Sequence, residues 1–451
     1  MPSPEALYPL ILLFLQGLDG QAHTTALGSL AHLVTALLVG QSLRPTALMR
    51  ALLSPSPVPA RQRYKRVERA WTRRWLSPVW LTPRLVRAAL ALVTPDATGA
   101  KGSPTEGLTH LALDSVRCGR WEIFTLGVVW HGRTLPVGFA VLPYPWPKRQ
   151  FTPTTCALVK LVAVAWPTER QAHLVADRAF PSRALFRTLQ EVGWGWTVRL
   201  RAKSSVSVGG KAQWVRELLE GARPNSWTAQ SAEYGSGKQT IQGLLVIGRG
   251  FAVLPRHQAN AGSLRYRQAA FAKRQQHLAS KHPGRKADAS QSTDRWVVLF
   301  STHSSWKAAG ASYRRRWAAE GSYRDAQSGW DGKHGWDLEP VAGRLKTAVA
   351  VERVVGLWAL GTLVQSWVGD QVGQPTVPGE VKAVVGQWTT TGRLSVWARG
   401  HLALTEPSGL LKDWLGETLR EGAEHIAKAS PSVVPDQAPS SPQSTAIRKA
   451  A

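Results

Sequence analysis

The chain has 451 residues, 43% of them hydrophobic, which allows two or three compact units and excludes wholesale disorder. Its 56 lysines and arginines face 29 acids, a formal charge of +27 that exceeds the needs of solubility and points to a polyanion, either nucleic acid or an anionic membrane surface. Only two cysteines occur, Cys118 and Cys156, without a CxxC pair or a Cys/His finger, which argues against structural zinc and a disulfide framework.

The first elements, from residue 1 to about 98, read as helical. The apolar run Leu7–Leu15 is too short to span a bilayer, Pro9 interrupts it, and Glu5 stands where a signal peptide carries its basic flank. Ala22–Val39 has helical apolar spacing. After a Pro/Ser break at Ser54–Pro59, Arg61–Trp75 reads RQRYKRVERAWTRRW, a basic helix with Arg66, Arg69 and Arg73 on one face. That face suits DNA phosphates; the plainer reading is a solvated basic helix.

Gly99–Pro104 reads as a linker, and strands follow. Leu108–Asp114 is a buried strand pattern, with Trp121–Trp130 and Thr134–Leu142 joined around His131-Gly132-Arg133. A helix is expected over Pro153–Val164, a buried strand over His173–Asp177, a helix from Ser182 to Val192 and a strand over Trp196–Arg201. This order makes an α/β fold with a mixed sheet. From 203 to 294 the composition shifts to Gly, Ser and Gln, with short strand patterns such as Gly243–Ile247 and a polar basic arm, Arg265–Lys286; this reads as a β-rich insertion. Arg295–Ser301 is a strand pattern, and a long helix begins near Trp306 or Ala311. Further helices are expected over 346–424, including the apolar stretch Val351–Val368, which opens with Glu352 and Arg353 and reads as a core helix. The tail, 425–451, is rich in Pro, Ser and Gln and reads as disordered. No membrane is expected, and the cytoplasm, with access to the nucleoid, is the expected location.

Two buried strand patterns end in aspartate, LALD at Asp114 and LVAD at Asp177. A carboxylate beyond a strand end is solvent-facing yet rigidly held, and two of them on neighbouring strands suit Mg²⁺ or Mn²⁺. Each Asp could equally cap the next turn. A third acid lies in Tyr313–Ser328, YRRRWAAEGSYRDAQS, where helical spacing puts Tyr313, Arg316, Glu320, Arg324 and Gln327 on one face. Taken alone, these are ion pairs of a solvated helix.

The spacing Tyr, two residues, Arg, three residues, Glu, six residues, Lys is the signature of a large branch of the DDE transposases of bacterial insertion sequences. Tyr313, Arg316 and Glu320 match it, and Tyr323, Arg324 and Asp325 resemble the stretch after that Glu. DRAF at Asp177–Phe180 looks like the region of the family's second aspartate, and LALDSV at Leu111–Val116 like the first. The resemblance runs in order over roughly 105–345. It departs at Gln327, where the family has a phosphate-holding Lys; the resemblance then implies either compensation by Arg324 or Lys333 or a reduced activity.

The resemblance implies an RNase H-like mixed-sheet catalytic core over 104–202 and 295–345, with the 203–294 insertion ahead of the glutamate helix, and helical regions on both sides. The N-terminal one, 1–98, would bind DNA. It further implies catalytic and metal-binding roles for Asp114, Asp177 and Glu320, two Mg²⁺ (or Mn²⁺) ions, and DNA contacts by Tyr313, Arg316, Arg324 and Gln327; Arg66, Arg69 and Arg73 of the basic helix are the other expected DNA contacts. The expected partners are double-stranded DNA, as element ends and target, and a second copy when paired on DNA. The expected reaction is metal-dependent cleavage and strand transfer of the cut-and-paste type. Competing readings are an RNase H-like nuclease without strand transfer, a degenerate DNA-binding protein and a binder of anionic membranes.

Two further groups of residues carry alternatives. Among the 21 tryptophans, Trp214 and Trp227 lie where the family places a base-stacking Trp, although most tryptophans are core residues. His110 and His173, each four residues before an Asp, read first as buried structural residues at strand starts and second as supports for the carboxylates.

Overall fold

A computed structural model of the chain describes residues 4–18, 24–52, 58–93, 105–222, 226–235, 240–249, 296–327, 335–372, 396–405 and 409–428. The expected linker Gly99–Pro104, the first part of the Pro/Ser break, the basic arm Arg265–Lys286, Lys333, Ser328 and the tail beyond 428 lie outside the described residues.

The protein is mixed α/β. The helices α1 Pro4–Leu18, α2 Thr24–Gly40, α3 Pro45–Ala51, α4 Ala60–Ala70 and α5 Pro78–Leu92 come first, with a 3₁₀ turn at Arg74–Leu76. Strands β1 Thr109–Cys118, β2 Trp121–Trp130 and β3 Arg133–Pro143 follow, then α6 Phe151–Val164, β4 Ala172–Ala176, α7 Arg183–Glu191 and β5 Gly195–Arg199. Next are β6 Ser205–Val208, β7 Lys211–Trp214, α8 Val215–Glu220, β8 Ser226–Tyr234, β9 Ile241–Arg249 and β10 Trp296–Ser301. The chain continues through α9 Trp306–Arg314, α10 Trp317–Gln327, α11 Leu338–Ala342, α12 Ala348–Val372, α13 Val396–Thr405 and α14 Gly409–Lys428. α14 runs to Lys428, four residues past the expected start of the tail at 425.

Two compact units emerge, one of residues 1–172 with 315–451 and one of 173–314. The division falls at β4, inside the stretch 104–202 that the resemblance assigns to one core. It also places the N-terminal and C-terminal helices in the same unit as β1–β3.

In the first unit β1, β2 and β3 form an antiparallel meander in the order β3-β2-β1. The β2–β3 connection has positive φ at both His131 (45°) and Gly132 (74°), as a two-residue primed hairpin turn requires. α5 starts at the Ser77-Pro78 pair, where the Ser77 hydroxyl accepts from the Trp80 amide at 3.3 Å and proline takes the first turn. The central element is α12, buried on nearly every face. It admits neighbours at small residues: a Cβ on Gly361 would sit 2.8 Å from the Trp336 ring, and one on Gly356 would sit 2.6 Å from the Leu76 carbonyl. Among the described residues α12 alone is by itself long and apolar enough to cross a membrane, and 78% of its apolar window is buried inside the protein.

In the second unit the strand order is β4-β5-β10-β9-β8-β6-β7. β4 and β5 are parallel, linked through α7, which starts at Ser182, whose hydroxyl accepts from the Leu185 amide at 3.2 Å. β10 pairs antiparallel with both β5 and β9, and β6–β9 form antiparallel ladders. Where it is described, the insertion consists of the strands β6–β9 and the short helix α8. Trp227 of β8 lies over Gly248 of β9, where a Cβ would meet the indole at 2.7 Å, so only glycine leaves room for that ring.

Candidate active site

Asp114 lies within β1, not at its end: the strand continues to Cys118, and Asp114 stands opposite Thr125 of β2. The polar run after Leu113 looks like a strand exit, yet β2 supplies partners as far as Trp121. The Asp114 side chain is 14% exposed, with Oδ1 accepting from the Ser115 amide at 2.9 Å and Oδ2 lying 3.6 Å from Nη1 of Arg316.

The single helix expected over Tyr313–Ser328 is two helices. α9 ends at Arg314, Arg315 and Arg316 form a turn, and α10 begins at Trp317. The amides of Ala318 and Ala319 bond back to the carbonyls of Arg315 and Arg316, a tighter pitch than an α-helix. Both arginines are drawn inward. Arg315 donates to Thr105 at 3.2 Å, and burial lowers its pKa. Arg316 is buried, its guanidinium over the Trp317 ring at 4.8 Å. Helical spacing therefore does not relate Tyr313 to Glu320.

Arg316 joins two of the expected carboxylates: Nη2 donates to Oε1 of Glu320 at 2.6 Å while Nη1 faces Asp114. Glu320 is half-exposed, so this contact is screened by water, and the Asp114 side is the drier one. Two carboxylates from distant parts of the chain thus converge on one cation.

The face of α10 after Glu320 is fastened to the meander. The Tyr323 hydroxyl shares a hydrogen bond with Thr125 Oγ1 at 2.7 Å and donates weakly to the Asp114 carbonyl at 3.4 Å. Burial first, and the Asp114 charge second, raise the Tyr323 pKa well above the ordinary value and keep it a neutral phenol. Ser322 Oγ accepts from the Thr134 amide at 2.8 Å. Asp325, 1% exposed, pairs with Arg133 at the β3 start. Burial raises the Asp325 pKa, and Arg133 pulls it back. Gly321 leaves the space for that guanidinium, since a Cβ there would lie 2.9 Å from it. Thr125, Arg133, Thr134 and the Ser115–Glu122 hydrogen bond at 2.6 Å are structural supports that sequence reasoning missed. The only signal was acidic Asp325 amid the apolar spacing of α10. Arg324 is exposed and Gln327 half-buried on the same helix.

In the second unit Asp177 follows β4 directly, at the strand end, as its pattern indicates. The Tyr313 hydroxyl lies 3.4 Å from its Oδ1, and the Tyr313 ring belongs to a core cluster with Val246, Val297, Leu299 and Ala309. Arg201 holds the backbone after Asp177, donating to the carbonyls of Arg178 at 2.6 Å and Ala179 at 2.8 Å. Beside these runs a buried polar ladder. His173 Nε2 bonds Thr197 Oγ1 at 2.8 Å, Thr197 bonds Ser301 at 2.8 Å, and Ser301 accepts from the His303 amide at 3.1 Å. His303 Nε2 meets Ser312 Oγ at 2.7 Å and stacks on His173 with centroids 4.2 Å apart. Burial lowers the His303 pKa. His173 is thus a buried structural residue, and His110 is equally buried in β1.

Of the basic face, Arg66 and Arg69 are exposed on α4, with Val67 and Ala70 turned inward. Arg73 has left the helix. Three successive i+3 amide bonds, and the Thr72 hydroxyl donating to the Arg69 carbonyl at 2.8 Å, close α4, and Arg73 is extended (φ −77°, ψ 138°). Trp214 is 45% exposed at the end of β7. Trp227 stacks on Trp306, ring centroids 5.6 Å apart. Both cysteines are free, and burial pushes the Cys118 thiol up to about 12.

Among the described residues no group of three or more His, Cys, Asp or Glu side chains is placed to hold a metal ion. Asp114 and Glu320, which share one cation through carboxylate oxygens, are the pair whose donor chemistry suits Mg²⁺ or Mn²⁺. In comparisons with known proteins, no family model and no curated protein matches the chain.

Proposed function

We propose that the chain is a DDE-type DNA transposase with an RNase H-like core, which cleaves DNA and transfers strands with divalent metal. The observation that carries this reading is Arg316, whose guanidinium draws together Asp114 of β1 and Glu320 of α10. Such a pair of carboxylates, held on a strand and a clamped helix, is a site for a hard dication. The charge of +27 and the exposed Arg66 and Arg69 suit a DNA partner. The element order also agrees: an antiparallel meander, a parallel βαβ step through Asp177, a strand-built insertion, then the glutamate helix.

On this reading Asp114, Glu320 and Asp177 would hold two Mg²⁺ or Mn²⁺ ions, which supply activation of the nucleophile and charge stabilisation at the leaving oxygen. Displaced from the carboxylates, Arg316 would turn to a DNA phosphate, where its fork binds two oxygens. Arg324, Gln327, Tyr313 and Arg73 are the further DNA contacts. Paired element ends imply a dimer on DNA, working in the cytoplasm at the nucleoid. Alanine at Asp114, Asp177 or Glu320 should abolish metal-dependent cleavage of element-end DNA and leave end binding intact; full cleavage by any of the three sinks the assignment. Neutral Gln327 in place of the family's Lys favours one second reading, a degenerate DNA-binding protein, and wild-type chain that binds ends but cleaves with neither Mg²⁺ nor Mn²⁺ would establish it.

A further inference from the structure

The end of the meander away from the β2–β3 turn gathers cations from three segments. The end of β1 and its connection to β2 bring exposed Arg117 and Arg120, the loop after β3 brings exposed Lys148 and Arg149, and the stretch after α11 brings exposed Arg344 and Lys346. These segments are packed together. The Arg117 guanidinium lies 3.8 Å from the Tyr144 ring centroid, and the Tyr144 amide donates to the Arg120 carbonyl at 2.6 Å. Gly119 (φ 60°) abuts Gly343 so closely that a Cβ would meet its Cα at 2.8 Å, and the Trp121 indole donates to the Leu345 carbonyl at 3.0 Å. The loop that carries Lys148 and Arg149 also carries Trp146, flanked by Pro145 and Pro147 and 40% exposed, its ring braced against Tyr144 and Phe151 at 5.3 and 5.1 Å. Arg149 is held at φ 67°, a left-handed conformation that a side-chain-bearing residue rarely adopts. These three segments carry no acid of their own; exposed Glu339 lies just ahead of the third, in α11.

Six cations and a braced, half-exposed indole on packed segments match a nucleic acid strand, with phosphates for the charges and a base or sugar face for the ring. An anionic bilayer fits less well. Its peripheral ligands present a broad apolar helix face, whereas here one ring projects from a set of turns. β1 links the patch to Asp114: four residues of strand, about 13 Å, separate Asp114 from Cys118.

We propose that this end of the meander is a DNA-binding surface that holds the strand flanking the carboxylate pair, with Trp146 packed against a base or sugar and the six cations on phosphates. The proposal rests on the nucleic-acid reading above. The test uses the full chain, a fluorescent duplex with a single-stranded overhang, and anisotropy titrations across salt in Ca²⁺. The variant pairs R117Q/R120Q and K148Q/R149Q should each lower the slope of log affinity against log salt by roughly two. Trp146→Ala should weaken binding roughly 5- to 150-fold, with Trp146→Phe close to wild type. Thermal melts check that each variant is folded; should Trp146→Ala not fold, the charge pairs decide. A steep wild-type slope left unchanged in both pairs overturns this surface and leaves the DNA reading standing. No DNA binding by the wild type overturns both. Loss of binding to phosphatidylserine vesicles in these variants, with DNA affinity unchanged, overturns the proposal in favour of a lipid surface.

Discussion

The two units hold their acidic residues by opposite means. In the first, Asp114, Glu320 and Asp325 are each held by a guanidinium, from Arg316 or Arg133. In the second, Asp177 has the phenol of Tyr313 at a long 3.4 Å, beside a ladder of His, Thr and Ser joined by hydrogen bonds between mostly neutral groups. Burying a charge demands a paired partner, whereas burying a neutral polar group demands only a hydrogen bond. The first unit should therefore be the more fragile to loss of a cation and the second the more tolerant.

The largest expected effect is Arg133→Ala. It strands Asp325, 1% exposed, and should cost about 3–5 kcal/mol in chemical denaturation. The double change Arg133→Met with Asp325→Leu should recover much of that loss. A single variant as stable as wild type would remove the contrast between the units.

The next contrast is in pH. Burial, partly offset by Arg353, raises Glu352 of α12 from 4.5 to about 7 in the folded chain. Because this folded pKa is raised, the stability it contributes is full below pH 4.5 and is lost as pH rises towards 7. Glu352→Gln should then stabilise the protein at pH 8 by up to about 3 kcal/mol and make no difference at pH 4. His303 in the second unit runs the other way. Its folded pKa lies below the ordinary 6.5, so its contribution is present above 6.5 and is lost as pH falls below it. Hydrogen exchange between pH 4.5 and 7 should show α12 loosening as pH rises and β10–α9 loosening as it falls. Parallel trends in both regions would contradict the assignment.

Arg316→Gln should be milder, about 2 kcal/mol, since Asp114 keeps the Ser115 amide and some water. The sharper readout is metal. With the guanidinium gone, Asp114 and Glu320 lose the cation they share, so Mn²⁺ should raise the melting temperature of this variant more than that of wild type. Equal shifts would show that the pair does not take the ion.

Much of this arrangement is legible in the sequence. The strands β1–β5 follow from apolar runs and turn residues, and Asp177 sits where its strand pattern ends. Asp114 is expected at a strand end because the apolar run LALD stops there; cross-strand partners in β2, set by tertiary pairing, carry the strand on. The break at Arg315–Arg316 was not legible either. Arginine is a good helix former and the period runs unbroken through it, so only the inward burial of both guanidinium groups reveals the turn. Arg73 failed for a local reason, the Thr72 hydroxyl closing α4 one turn early. The convergence of Asp114 and Glu320 lies in no local pattern, because the two acids are far apart in the chain and Arg316 joins them only in the folded unit.

The smallest expected effect tests the second unit's tolerance directly. Tyr313→Phe removes a hydroxyl that reaches Asp177 only at 3.4 Å and keeps the ring among Val246, Val297, Leu299 and Ala309. Stability should fall by less than about 1 kcal/mol, while Tyr313→Ala, which empties that place in the core, should cost about 3–5 kcal/mol. If Tyr313→Phe nevertheless loses most DNA cleavage with its stability intact, the hydroxyl serves Asp177 or the DNA rather than the fold. If it cleaves normally, Tyr313 is a core residue that matches the spacing of the resembled family without its role, and on the proposed function Arg316 of the first unit would be left to hold phosphate.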